Sequence, residues 1–595
     1  MKKRRPIFTK LILSIMMIST IITLSSCQNK GTKINFASYK TAEKVPYDIY
    51  FDETYFDNPA SEYNPKLASA TACLALAGFS ATAGTDYQNS DTNIKAFFDT
   101  LGFEKYQANE YGVSKPTTDS FGVYIASKKI SDFTLIGIGV RGAGYQSEWA
   151  SNFKISKNEN FAQGFYEASE IYLNFLKEYI ATNNISGKIK IWTGGYSRGG
   201  ATVNLAAGRI DDGLINNLNI ISQDVNYTKD DIYAYCFEPP AGKIATLNGN
   251  EIKEKDENYS NIYSVMNLND PVPFVAPVNF GFVRYGTDLF LPDIITDLNY
   301  QSHINRVKNR MSQLSNYHTI DEYKIDKAVD ESTIKFFNSK SKYTNFSLYV
   351  YLESFINTLC KSIGSKDFYV DNFQQQITEL FALLYASLKP KDSLINLGIN
   401  FATKILSTDT DQIVLYDLQN NRSKFIKDLN VLVYNAIKTS GADINVSDAM
   451  KLLKNIINTF VDILLSSGGF ATIRPLLNVD NIKAIGSAHI PELLLSHITA
   501  LDSNYEGENL LQLKTTFNKL YVNTTSNFEL IINDQKYVYF ENDEIKSKLV
   551  TVKNNDGYLI YLPSDAEFKF NSSDIKYELY NCNNKFFNDT LIKSN

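Results

Sequence analysis

The order of apolar and polar positions divides the chain into zones of different character. Leu67, Ala70, Leu74 and Ala77 recur at helical spacing behind Asn64-Pro65, an N-cap with a first-turn proline, so a helix starts there. Two strand-like stretches lie between Phe121 and Val140, and the second, Phe133 to Val140, is apolar almost throughout. A strand exposed on one face would alternate, so this one belongs at the centre of a sheet. A helix from about Phe161 to Ile180 follows, then a short strand at Ile189 to Thr193, a glycine-rich turn and a helix from Arg198 to about Ile210. Further strands are predicted at Ile232 to Phe237 and Ile262 to Leu268. This alternation predicts an α/β fold with a mostly parallel sheet and right-handed crossovers, and residues 46–278 read as one α/β unit.

Beyond that unit the pattern changes twice. Residues 279–484 hold helical stretches such as Phe346 to Cys360, Phe373 to Leu388 and Met450 to Leu465, the pattern of a large helical cap or lid insertion. Residues 485–510 return to the core. In residues 511–595, alternating segments fall at Phe528 to Ile532, Tyr537 to Phe540 and Leu549 to Val552, and Asp556-Gly557 leads into Tyr558 to Leu562. These are hairpin signals and predict a small C-terminal β module.

Composition narrows the class. The 595 residues are 44% hydrophobic and 21% charged, which excludes a disordered or collagen-like chain. Lys plus Arg number 59 against 65 Asp plus Glu, so no whole-chain basic field exists to hold a phosphate backbone, and nucleic acid is not an expected partner. Cys73, Cys236, Cys360 and Cys582 are scattered, the first three within apolar helix or strand patterns, and read as buried thiols. No CxxC pair or histidine cluster suggests a metal, and no cofactor is expected.

The N-terminus adds a destination. Lys2, Lys3, Arg4 and Arg5 precede an apolar run from Leu11 to Leu24, the charge order of a secretory signal, and the run ends at Leu24-Ser25-Ser26-Cys27. This ending resembles bacterial lipoprotein signals, in which the cysteine sulfur takes a diacylglycerol and the cysteine becomes the new N-terminus. The resemblance implies a signal peptide at 1–26, lipidation of Cys27, a polar tether at 27–45 and attachment to the extracytoplasmic side of a bacterial cell membrane. Acyl chains bury at about 0.8 kcal/mol per methylene, so two chains on one cysteine hold a body at a membrane without a spanning helix.

Gly195-Tyr196-Ser197-Arg198-Gly199 is a GxSxG pattern between a buried strand and an Ala-rich helix. There the serine sits on a strained turn, and small residues two before and two after it let strand and helix approach closely. A serine hydroxyl needs a base to take its proton, so a carboxylate and a histidine are expected further along. Asp270 follows the strand ending at Leu268, in Asn269-Asp270-Pro271-Val272-Pro273, at the sheet edge where α/β ligand sites lie. The histidines are His303, His318, His489 and His497. His303, in a basic helical stretch, reads as a surface position, and His497 as packing or helix surface. His489, between Gly486-Ser487-Ala488 and Ile490-Pro491-Glu492, is assigned the base role, with His318 in reserve. Either could instead be structural.

The motifs then resemble class-three lipases, the fungal-type α/β hydrolases. The likeness lies in Val140-Arg141-Gly142-Ala143, Glu148-Trp149, Gly194 to Ala201, Tyr235 to Pro240 and Asp270 to Pro273, in the family's order. It implies an α/β-hydrolase fold and an exported lipase or esterase acting on acylglycerols or other lipid esters. Ser197, Asp270 and His489 would be its triad, and the main-chain donors of Ala143 and Arg198 its oxyanion site. Two departures stand out. Ala143 replaces the family's Thr or Ser, and losing one oxyanion donor costs about a hundredfold or more in rate. Tyr196 and Arg198 replace the elbow's usual His and Leu, read here as tuning. The alternatives are a surface-binding lipoprotein on a weak or inactive hydrolase scaffold, and a peptidase or acyltransferase using the same triad.

Overall fold

The computed structural model describes residues 31–34, 49–79, 88–109, 121–142, 161–244, 257–274, 282–313, 488–502 and nearly all of 510–595. It also describes short pieces of 343–353 and scattered helical positions between 422 and 458. The helical stretch expected at 373–388, most of those at 346–360 and 450–465, and Cys27, Ala143, Glu148-Trp149, His318 and Cys360 lie outside the described residues.

The central sheet uses strands β1 (Glu104–Asn109), β2 (Val123–Ile130), β3 (Phe133–Val140), β4 (Gly187–Tyr196), β5 (Ile232–Phe237), β6 (Ile262–Met266) and β7 (Thr287–Phe290). They lie side by side in the order β7-β6-β5-β4-β3-β2-β1, with Val225–Asn226 beside the start of β4. From β3 to β7 the pairs are parallel, and β2 and β1 close one edge antiparallel. The result is an α/β fold on a mixed, mostly parallel sheet. The sheet runs past residue 278, because β7 pairs with β6 from Tyr263↔Thr287 to Met266↔Phe290. Only four residues long, β7 is too short to leave a periodic signal.

Alternation along the strands explains the two layers of helix. Trp192, Tyr233, Tyr235, Phe237 and Tyr263 face one side, under helices α1 (Pro65–Leu76) and α2 (Gln88–Thr100). Ile191, Ile232, Ala234, Cys236 and Ile262 face the other, under α3 (Gln163–Thr182) and α4 (Arg198–Ile215). Each large apolar side chain so buried contributes about 1.5–3 kcal/mol. The Asn64 side chain caps α1 by accepting from the Lys66 and Leu67 N–H groups, and Trp192 donates from Nε1 to Thr71 on the same helix at 2.7 Å.

Two later helices, α5 (Tyr300–Gln313) and α6 (Pro491–Thr499), pack on each other, and α6 also rests on α1. They contain His303 and His497. His303 is fully buried, which corrects the surface position expected from its basic neighbours: its ring turns inward, and Nε2 meets His497 Nδ1 at 3.0 Å. Among the described residues no helix is long and apolar enough to cross a membrane.

The C-terminal strands are β8 (Thr516–Val522), β9 (Leu530–Ile532), β10 (Gln535–Glu541), β11 (Glu544–Ser547), β12 (Thr551–Asn554), β13 (Gly557–Pro563), β14 (Phe568–Phe570), β15 (Tyr577–Asn583) and β16 (Asp589–Ser594). They form two antiparallel sheets, β12-β13-β8-β15-β16 with Tyr343–Thr344 added beside β12, and β11-β10-β9-β14. The Asp556-Gly557 turn joins β12 to β13, with Asn554 opposite Gly557. The first of these sheets shares apolar contacts with the α/β core around Met266, Phe290, Phe517 and Tyr561. Glu353 reaches Lys519 in a buried ion pair and accepts from the Tyr561 hydroxyl at 3.0 Å. Cys73, Cys236 and Cys582 are free, buried thiols.

Candidate active site

The site forms where strand ends and helix starts converge, at the carboxyl edge of the parallel sheet. Ser197 follows β4 directly and precedes the first residue of α4, with φ 57° and ψ −124°. A left-handed φ is costly for a non-glycine residue, so the surroundings must impose it. They do so through the Ser197 N–H, which donates to the Phe237 carbonyl at 2.8 Å, and through very close packing. A Cβ on Gly195 would sit 2.2 Å from the Gly199 carbonyl oxygen, and one on Gly199 would sit 2.4 Å from the Val140 carbonyl oxygen. The two glycines of the pentapeptide are therefore required by space.

His489 arrives from the loop before α6, whose Pro491 starts the helix. Its Nε2 lies 2.8 Å from Ser197 Oγ, and its Nδ1 lies 2.5 Å from Asp270 Oδ2. The residues separated by 292 and 219 positions thus meet in one hydrogen-bonded line. Ser197 is 7% exposed and Asp270 is wholly buried. Asp270 Oδ1 accepts from the Val272 N–H at 2.9 Å, which leaves Oδ2 for the imidazole. In a neutral ring, a carboxylate against Nδ1 favours the tautomer with the proton on that nitrogen, which turns the Nε2 lone pair to the serine.

Of the other predicted residues, Arg198 occupies the first position of α4, where main-chain N–H groups lack intrahelical partners, and its side chain is buried. His303 and His497 pair with each other, and neither hydrogen-bonds to Ser197 or Asp270.

Several residues that frame the site were given no positioning role in the sequence. The buried Glu238 carboxylate accepts from the Asn267 N–H at 3.1 and 3.0 Å, and the Asn267 carbonyl accepts from the Asp270 N–H. Arg284 donates to the Pro239 carbonyl at 2.9 Å and to the Pro273 carbonyl, tying together the loops after β5 and β6. Tyr196 donates to the His489 carbonyl at 2.8 Å and stacks on its ring. Glu238 lies within Tyr235 to Pro240, and Tyr196 lies within the pentapeptide. Their motifs were a usable signal, but their contacts were not.

No family model and no curated protein matches the chain. Among solved structures it is similar to a triacylglycerol lipase whose catalytic centre is formed by a serine protease triad, at 17% identity and a TM-score of 0.26, over 38% of this chain and 79% of that one. It is also similar to a deletion mutant of the Rhizomucor miehei lipase propeptide complex, at 15% identity and a TM-score of 0.27, over 43% and 74%. Lipase II from Rhizopus niveus is 14% identical with a TM-score of 0.24, over 40% and 80%.

Proposed function

We propose that the chain is a serine hydrolase of α/β-hydrolase type that cleaves carboxylic esters, with acylglycerols or other lipid esters as its substrate class. The observation that carries this reading is the unbroken line from Ser197 Oγ through His489 to Asp270, built on a strained turn at the carboxyl edge of a parallel sheet. Ser197 Oγ attacks the ester carbonyl carbon as its proton passes to His489 Nε2. The tetrahedral oxyanion accepts main-chain N–H donors from Arg198 and Ala143. Collapse returns the proton from Nε2 to the leaving alcohol, and water, deprotonated by the same nitrogen, then releases the acid and restores Ser197. Asp270 keeps the Nδ1 proton in place and balances the imidazolium formed at each half-reaction.

The same proposal has Cys27 lipidated, the signal at 1–26 removed and the body held on the extracytoplasmic side of a bacterial membrane. Support for this half is the order of charge, apolar run and Leu24-Ser25-Ser26-Cys27.

A fluorophosphonate probe and a set of short- and long-chain esters test the enzyme. The expected result is labelling and ester turnover that disappear in Ser197→Ala. A wild type that does neither favours the binding-lipoprotein reading, for which Ala143 in place of a hydroxyl residue is the specific support. Parallel amide substrates separate an esterase from a peptidase. Metabolic labelling with an alkyne fatty acid, lost in Cys27→Ala, tests the anchor.

A further inference from the structure

We infer that Tyr196 is a positioning residue for His489, holding both its main chain and its ring over the nucleophile; the inference rests on the ester-hydrolase reading above. Its phenol O–H donates to the His489 carbonyl at 2.8 Å, and the two rings stack with centroids 4.9 Å apart and planes 21° from parallel. Tyr196 itself is held: it is the last residue of β4, is 3% exposed, and packs edge-to-face with Phe79, ring centroids 5.9 Å apart.

The position of this residue gives the contacts their consequence. Base and nucleophile are 292 residues apart in sequence, yet Tyr196 is peptide-bonded to Ser197 and touches His489 directly. The separation between Oγ and Nε2 is therefore set by one side chain and one peptide unit, not by the long chain between them. The hydrogen bond fixes the loop, and the stack fixes the plane of the imidazole, so the ring cannot swing off the line from Asp270 to Ser197. When His489 takes the serine proton, the resulting cation lies over an aromatic face, a favourable arrangement. A tyrosine serving only to fill the core would need neither the hydroxyl contact nor the near-parallel stack.

Two variants separate these contributions in the full chain. Tyr196→Phe removes the hydroxyl bond and keeps the stack, and Tyr196→Leu removes both. With an ester of the wild type's choice, the phenylalanine variant is expected to lose about tenfold in kcat and the leucine variant about a hundredfold, with KM within twofold in both. Fluorophosphonate labelling should slow by similar factors yet reach the wild-type stoichiometry. A second readout needs no substrate: the far-downfield proton resonance of the Nδ1–H···Asp270 hydrogen bond should stay sharp in the phenylalanine variant and broaden in the leucine variant. Should the leucine variant fail to fold, the phenylalanine variant decides alone. Wild-type kcat in the folded variants, or a loss expressed through KM, overturns the positioning role while the ester-hydrolase reading stands. A wild type that neither hydrolyses esters nor reacts with the probe overturns both.

Discussion

His489 and His303 are both hydrogen-bonded imidazoles in the same part of the molecule, but one lies between a carboxylate and a hydroxyl and the other faces a second imidazole. His489 has a carboxylate on Nδ1, a hydroxyl on Nε2 and a side chain 13% exposed. His303 is fully buried between α5 and α6, with His497 at Nε2 and no hydrogen-bond partner for Nδ1 among the described residues. Burial, then the facing His497 and the nearby Arg306, hold the His303 ring well below the ordinary imidazole range. On the proposed reading, the acceptor behind the His489 ring and the donor in front of it suit that imidazole to act as a base. Lying beside another imidazole in an apolar layer does the reverse.

The strongest way to break the comparison is to remove the acceptor. Asp270→Asn keeps the shape of the site but presents an amide, which favours the wrong tautomer at Nδ1, and kcat should fall by about 10⁴-fold. Ester turnover by wild type and variant at matched folded concentration checks this. The equivalent change at the other pair, His303→Leu, should leave kcat within a few fold. It places an apolar side chain against His497 Nδ1 and should cost roughly 1–3 kcal/mol of stability. A thermal scan alongside the ester assay reads both numbers. A large kcat loss without destabilisation would show that the two imidazole sites are one system.

Proton linkage sharpens the same contrast. A base whose folded value lies below its unfolded value leaves the unfolded state holding the extra proton, so stability is full above the unfolded value and is lost as pH falls below it. For His303 that loss begins near the ordinary imidazole value of 6.5. The melting temperature should therefore drop on acidification below about pH 6.5, and His303→Leu should flatten that part of the curve. A variant curve parallel to that of the wild type would remove His303 from the account.

Why one imidazole was legible in the sequence and the other was not has a physical explanation. The elbow announces itself because its chemistry needs small residues at fixed offsets and apolar runs on both sides, and Gly195, Gly199 and the flanking β4 and α4 supply them. His489 stands out by its small-residue approach and the proline that starts α6. The surroundings of His303 are set by α6, 194 residues away, so its own basic stretch misdirects: Arg310 in that stretch is also buried. The same limit hides Tyr196 and Glu238, whose identities are visible but whose partners come from other segments. The central strands were readable because they are buried on both faces. The polar edge strand β1 and the four-residue β7 carry no such pattern.

Aspartates offer the last and smallest test, because Asp270 and Asp211 are both buried and differ in what surrounds them. Asp270 accepts an imidazole and a main-chain N–H. Asp211, on α4, is 1% exposed and faces Asn261. Burial pushes its carboxyl from the ordinary 3.8 up to about 8, with Asn261 and Lys229 offsetting only part of the cost. At neutral pH the group is then mostly a neutral acid with an O–H to donate. The folded state holds a proton that the unfolded state has released, so the stability contribution is full below the unfolded value and is lost as pH rises towards 8. Asp211→Asn keeps a neutral donor at the same place without a titrating proton. It should leave ester turnover unchanged, match the wild type near pH 5 and become the more stable protein near pH 9, with the crossover read from melting temperatures across that range. If the variant is less stable at every pH, the Asp211 carboxyl is ionised and paired in the fold, and burial alone does not separate these two aspartates.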